Sequence, residues 1–114
     1  MPDDAVYVNF AEGLKRMMNN SKLYLKLLDK FREGTKLDAL EGAFASGNLE
    51  NTLGEVHTLK GIAANLSLSE LAARCLDLEV RVKEGVLDPD RMGTVKAVFD
   101  TTLLEINRVI TENG

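Results

Sequence analysis

The chain contains a single histidine, and it sits in the run Glu55-Val56-His57-Thr58-Leu59-Lys60-Gly61, with Gly54 three residues before it and Gly61 four after. Residues three and four apart share a helix face, so both glycines lie on the imidazole's own stripe and leave the ring uncrowded. A glycine inside a helix costs about 0.5–1 kcal/mol relative to alanine, so two around one ring are poor helix building but good access for a second molecule. An exposed imidazole is mostly neutral near neutral pH and keeps a lone pair on one nitrogen, which can accept a phosphoryl group. Such transfer depends mainly on positioning and charge neutralisation, so a reachable nitrogen with a cation nearby is sufficient. Lys60, one turn along, can bend its ammonium toward the oxygens of a modified His57. In the conservative reading, a solitary helical histidine is a solvated residue, Lys60 a surface lysine and Gly61 a site of close helix packing. The spacing of all four residues together favours chemistry.

Other chemistries find little support. A di-metal carboxylate bundle needs a glutamate three residues ahead of its histidines, where this chain has Gly54, so no metal is expected. Neither a P-loop nor a dinucleotide-type glycine loop occurs, which argues against phosphorylation from ATP and against a nucleotide cofactor. Cys75, the one cysteine, falls on an apolar helical stripe after Ala72-Ala73. It reads as a buried thiol, suited to a reducing, cytoplasmic setting. With a net charge of −4 and its basic residues scattered among carboxylates, the chain is a poor nucleic-acid binder. No stretch approaches the roughly 18 apolar residues of a membrane span. Asp3 and Asp4 argue against a secretion leader.

The elements that must position His57 are all helical, since the chain lacks tryptophan, has few aromatics and shows little alternation. A short helix is expected after Asn9, with Glu12 at the capping-box position. Ser21 opens a second carrying Tyr24, Leu28 and Phe31 and stopping at Gly34. Thr35, with Asp38 three residues on, opens a third that ends at Gly47. Met17, Met18, Tyr24 and Phe31 read as core filling. The fourth helix, Asn48 to Leu66, buries Leu49, Leu53, Val56, Leu59, Ala63 and Leu66 and leaves His57 partly exposed on its shoulder. Ser67 with Glu70 forms a capping box for the fifth, which runs to Gly85. Asp88-Pro89 opens a long last helix. At 114 residues these elements make one all-α domain, an up-and-down bundle spanning residues 1–114.

The segment His57-Thr-Leu-Lys60-Gly61-Ile62-Ala63-Ala64-Asn65-Leu66, followed by Leu71 and Leu78-Glu79, resembles the signature of histidine-containing phosphotransfer (Hpt) domains. The segments Asn9 to Leu14 and Leu23 to Phe31 are similar to the family's N-terminal helices. The resemblance implies a four-helix bundle with additional short N-terminal helices. His57 would carry the phosphoryl group, Lys60 would hold its oxygens and Gly61 would admit a receiver domain. It also implies Glu79 near His57, and a Mg²⁺ held by the receiver rather than by this chain. Many relatives have glycine where this chain has Ser67, and a small residue at Ile62.

The leading expectation is a monomeric phosphoryl carrier, not an autonomous kinase, relaying between the receiver of a hybrid sensor kinase and a response regulator. Its partner-facing patch comprises Glu50, Gly54, Lys60, Gly61 and Ala64, with Glu79 behind. The alternative is a helical module that docks receivers without transfer. The opening Met1 and the full set of capped helices favour a free-standing protein over a piece of a larger kinase.

Overall fold

The computed structural model describes residues 5–114, so Asp3 and Asp4 lie outside the described residues. Six helices follow in order: α1 (Phe10–Arg16), α2 (Ser21–Gly34), α3 (Asp38–Ala45), α4 (Leu49–Asn65), α5 (Ser69–Lys83) and α6 (Pro89–Asn113). No strand occurs among the described residues. α4 packs along α5, α5 along α6 and α6 along α2, while α3 lies on α4 and α1 on α2. The expected helical bundle is thus present, with α2, α4, α5 and α6 as its main members and two shorter helices added.

The core is the shared apolar stripe of these helices. Val56, Leu59 and Ala63 of α4 meet Leu71, Cys75 and Leu78 of α5, all 6% exposed or less. Full burial of one such aliphatic side chain contributes about 1.5–3 kcal/mol, which outweighs the roughly 1 kcal/mol that each α4 glycine costs. One member of the expected α4 stripe is not in the core: Leu49 is 39% exposed. Thr52 is buried in this first part of the helix instead, its hydroxyl donating to the Asn48 carbonyl at 2.7 Å.

Three helix starts differ from expectation. Asn20, not Ser21, caps α2, its side chain accepting from the Leu23 N–H at 3.0 Å. Thr35 does not open α3: it is the C-cap of α2, its N–H donating to the Phe31 carbonyl, the chain is extended there, Leu37 turns into the core at 6% exposure, and α3 starts only at Asp38 without a side-chain cap. Gly34 ends α2 as its last helical residue, and among the described glycines only Gly47 and Gly85 have left-handed backbone. Ser67 has a left-handed backbone, φ +58, and its hydroxyl donates to Glu12 Oε1 at 2.8 Å instead of capping α5. A left-handed φ favours glycine over any residue with a Cβ. Glu12 is thereby engaged with Ser67 and Arg16, while the Asn9 N–H donates to the Ser67 carbonyl at 2.9 Å, so no capping box forms at α1. Met18 is a further correction. Left-handed backbone at Met18 and Asn19 turns it outward to 90% exposure, whereas Tyr24 and Phe31 are buried.

The N-terminal segment ties down the α4–α5 turn. The Val6 carbonyl accepts the Glu70 N–H, and the Tyr24 hydroxyl donates to the Leu66 carbonyl at 2.6 Å. α1 can lie on Tyr24 because Gly13 has no side chain: a Cβ there would stand 2.1 Å from the ring carbon Cζ. Tyr24 is fully buried and held by its hydrogen bond, so it cannot retreat. Gly13→Ala is expected to cost about 2 kcal/mol by overpacking. Urea unfolding at neutral pH measures this, and an unchanged midpoint would mean that α1 is free to lift away.

Candidate functional site

α4 is started by the Asn48 side chain, which accepts the Asn51 N–H at 2.9 Å. With Val56, Leu59 and Ala63 directed inward, the residue after Val56 falls on the helix shoulder. His57 is 67% exposed there, more open than its predicted partial burial. The short Leu66–Leu68 turn folds α5 back along α4 and sets Glu79 opposite the imidazole.

Glu79 is 1% exposed, and its two oxygens are divided between two donors. Oε2 lies 2.7 Å from His57 Nδ1, and Oε1 accepts from Lys60 Nζ at 2.5 Å. Lys83 Nζ stands 3.9 Å from Oε2. Burial pushes the Glu79 carboxyl up, but the hydrogen bonds from Lys60 and His57 and the charges of Lys60 and Lys83 outweigh it, holding the group below its ordinary value of 4.5. Glu79 is therefore ionised at neutral pH and can only accept. A neutral imidazole facing it must carry its proton on Nδ1, which leaves the lone pair on Nε2. The carboxylate fixes both the tautomer and the orientation of the ring, as carboxylates bonded to the free nitrogen of metal-binding histidines do.

The stripe Glu50, Gly54, His57, Gly61 and Ala64 is exposed along its whole length. A Cβ added at Gly54 or Gly61 would meet nothing within 4 Å, so neither glycine serves close packing between helices. Glu50, Gly54, His57, Glu79 and Lys83 line one shallow depression of about 550 Å³, together with Asn51, Leu53 and Glu55. Gly61 and Ala64 lie further along the same helix face, outside that depression. Lys60 is 27% exposed and sits on Glu79 rather than projecting freely beside the ring. Of two features beyond local spacing, the first was reached only through the family resemblance and the second escaped sequence reasoning. The bond from His57 to Glu79 is a tertiary contact spanning 22 positions, and Lys83 is marked only by its place four residues after Glu79 on α5. Cys75 is fully buried, and its thiol is pushed up to about 12, chiefly by burial and then by the Glu79 charge, so it stays protonated and unreactive.

The family model of the Hpt domain matches residues 26–108, nearly three quarters of the chain. The chain belongs to the Hpt domain family. No curated protein and no solved structure matches it. Hpt domains are helical phosphocarrier modules of two-component signalling, not kinases, and the all-helical bundle agrees with that class. His57, Lys60, Gly61, Glu79 and Lys83 all fall inside the matched Hpt segment, whereas α1 and the start of α2 precede it. No described helix of this Hpt protein is long and apolar enough to cross a membrane.

Proposed function

We propose that residues 1–114 act as one phosphorelay carrier, in which His57 takes a phosphoryl group from the aspartyl phosphate of a hybrid kinase's receiver and passes it to a response regulator's aspartate. The observation that supports this reading is the buried carboxylate of Glu79 on Nδ1, which leaves Nε2 as the nucleophile on an open face. The Nε2 lone pair forms the P–N bond as the P–O bond to the donor aspartate breaks, and the aspartate leaves as a carboxylate with the electron pair. The ring keeps its Nδ1 proton, and the positive charge it gains faces Glu79. The return step reverses these changes, with the imidazole as leaving group. Glu50, Gly54, Gly61 and Ala64 form the surface on which the receiver rests, and the receiver supplies Mg²⁺.

Incubation with a phosphorylated receiver tests the reading. Label is expected to move to this chain in an acid-labile, alkali-stable form. A receiver that binds the chain yet never transfers label would overturn it in favour of a docking module. Gly61→Gln separates access from folding. It is expected to raise stability by about 0.5 kcal/mol through better helix propensity while slowing receiver transfer roughly a hundredfold through a displaced partner. Comparison of thermal midpoints and single-turnover rates decides it, and an unslowed rate would show that the receiver does not approach over Gly61.

A further inference from the structure

Five exposed lysines, Lys15, Lys22, Lys26, Lys30 and Lys36, pair with no carboxylate among the described residues, while Arg16 and Arg32 take Glu12, Asp29 and Glu33. They make the first part of the chain basic: residues 5–36 carry seven basic and three acidic side chains, residues 37–114 seven and thirteen. Two of the five border the helix that carries His57. Lys30 lines a hollow of about 410 Å³ with Leu27, Ile62 and Asn65, and Lys36 lines one of about 240 Å³ with Glu55, Thr58 and Ile62. Ile62, 37% exposed, is the apolar ridge between the two hollows. Glu55 is shared with the depression around His57, so these hollows continue round α4 from the ring toward α2.

A specific protein complex buries about 800 Å² on each partner, equivalent to a disc of roughly 16 Å radius. Ile62 is five residues from His57, about 7.5 Å along the helix axis. A receiver seated over Nε2 therefore reaches Ile62 and the lysines on its flanks. Its own transfer face is acidic, since Mg²⁺ is held through carboxylates. We infer that Lys30 and Lys36, on either side of Ile62, select among receivers, favouring those that set carboxylates against both ammonium groups and an apolar side chain against the ridge. The inference rests on the proposed role of His57 and concerns which partners reach the ring, not the bond changes on it. Neither lysine gives up an ion pair to engage a partner. Exposed rim charges of this kind act mainly on the rate of encounter and on the rejection of wrong partners, and salt weakens them.

The test measures single-turnover transfer to the full chain from a panel of phosphorylated receivers at low and high salt, with phosphoramidate as a small donor that needs no docking surface. The double variant Lys30→Glu, Lys36→Glu is expected to slow the fastest receiver about thirtyfold at low salt, with a smaller deficit at high salt, and to change the order of receivers in the panel. Lys30→Gln with Lys36→Gln should fall between this variant and wild type. Label uptake from phosphoramidate should stay at the wild-type rate, which shows that His57 and its surroundings are intact. Lys22→Glu, which alters an exposed lysine lining neither hollow, should slow transfer less than threefold. A double variant with wild-type rates and wild-type receiver order overturns the inference while leaving His57 as the carrier. So does an equal loss in Lys22→Glu, which would show that only net charge matters. Wild-type protein that takes no phosphoryl group on His57 from any donor overturns the proposed function and this inference together.

Discussion

His57→Gln is expected to abolish phosphoryl acceptance from both phosphoramidate and receivers. An amide nitrogen has no available lone pair to take the place of Nε2, Lys60 is bound to Glu79, and the Cys75 thiol is buried and protonated. The substitution should be nearly silent for folding because the ring is 67% exposed. Its one hydrogen bond, to Glu79, can be re-formed by the glutamine amide, so the stability change should stay within about 1 kcal/mol. Label uptake and urea unfolding on the same sample check both halves. Label on the variant at the wild-type level would remove His57 from the mechanism.

Lys60→Met is expected to have the opposite character, with a large loss of stability. It leaves Glu79 buried with only the imidazole bond and the distant Lys83, and loss of one partner from a buried pair costs about 3 kcal/mol. For a domain of this size that corresponds to a thermal shift of roughly 10–20 °C. The penalty should depend on pH. The folded-state pKa of Glu79 is lowered, so its contribution is complete above the ordinary value of 4.5 and is lost as pH falls through the lower folded value. Wild type and Lys60→Met should therefore differ most at neutral pH and converge in acid, where the carboxyl is protonated in both. Replacing both partners, as Lys60→Met with Glu79→Leu, should recover most of the loss, because no charge is then stranded. Urea unfolding from pH 7 down to pH 3 measures all three proteins. A pH-independent gap between wild type and Lys60→Met would show that Lys60 stabilises by packing and not through the carboxylate.

Local signals in the sequence were reliable where the structure also resolves them locally. Asn9 and Asp88 each cap the helix they precede, because the cap's partner lies within a turn. Ser67 was misread because its partner, Glu12, is 55 positions away, and Thr35 because burial of Leu37 sets the start of α3. The same division runs through the site. Spacing within α4 placed His57, Gly54, Gly61, Glu50 and Ala64 on one exposed face. Glu79 entered only through family resemblance, since which residue of α5 faces the ring is decided by how two helices pack. Lys60 shows the limit of local reading: it is one turn from His57 as expected, yet a carboxylate on another helix holds its ammonium.

The hydrogen bonds that tie the N-terminal segment to the Leu66–Leu68 turn bear on how the protein can be trimmed. The Hpt match begins at residue 26, yet Val6, Asn9, Glu12 and Tyr24 all bond across to the hairpin that brings α5 alongside α4. A fragment cut at the match boundary would keep every residue of the phosphorylation site but lose the clasp that holds the hairpin closed. The smallest autonomous folding unit therefore starts upstream of the recognisable motif, and amide exchange at Leu68 to Glu70 would be the first place to register its absence.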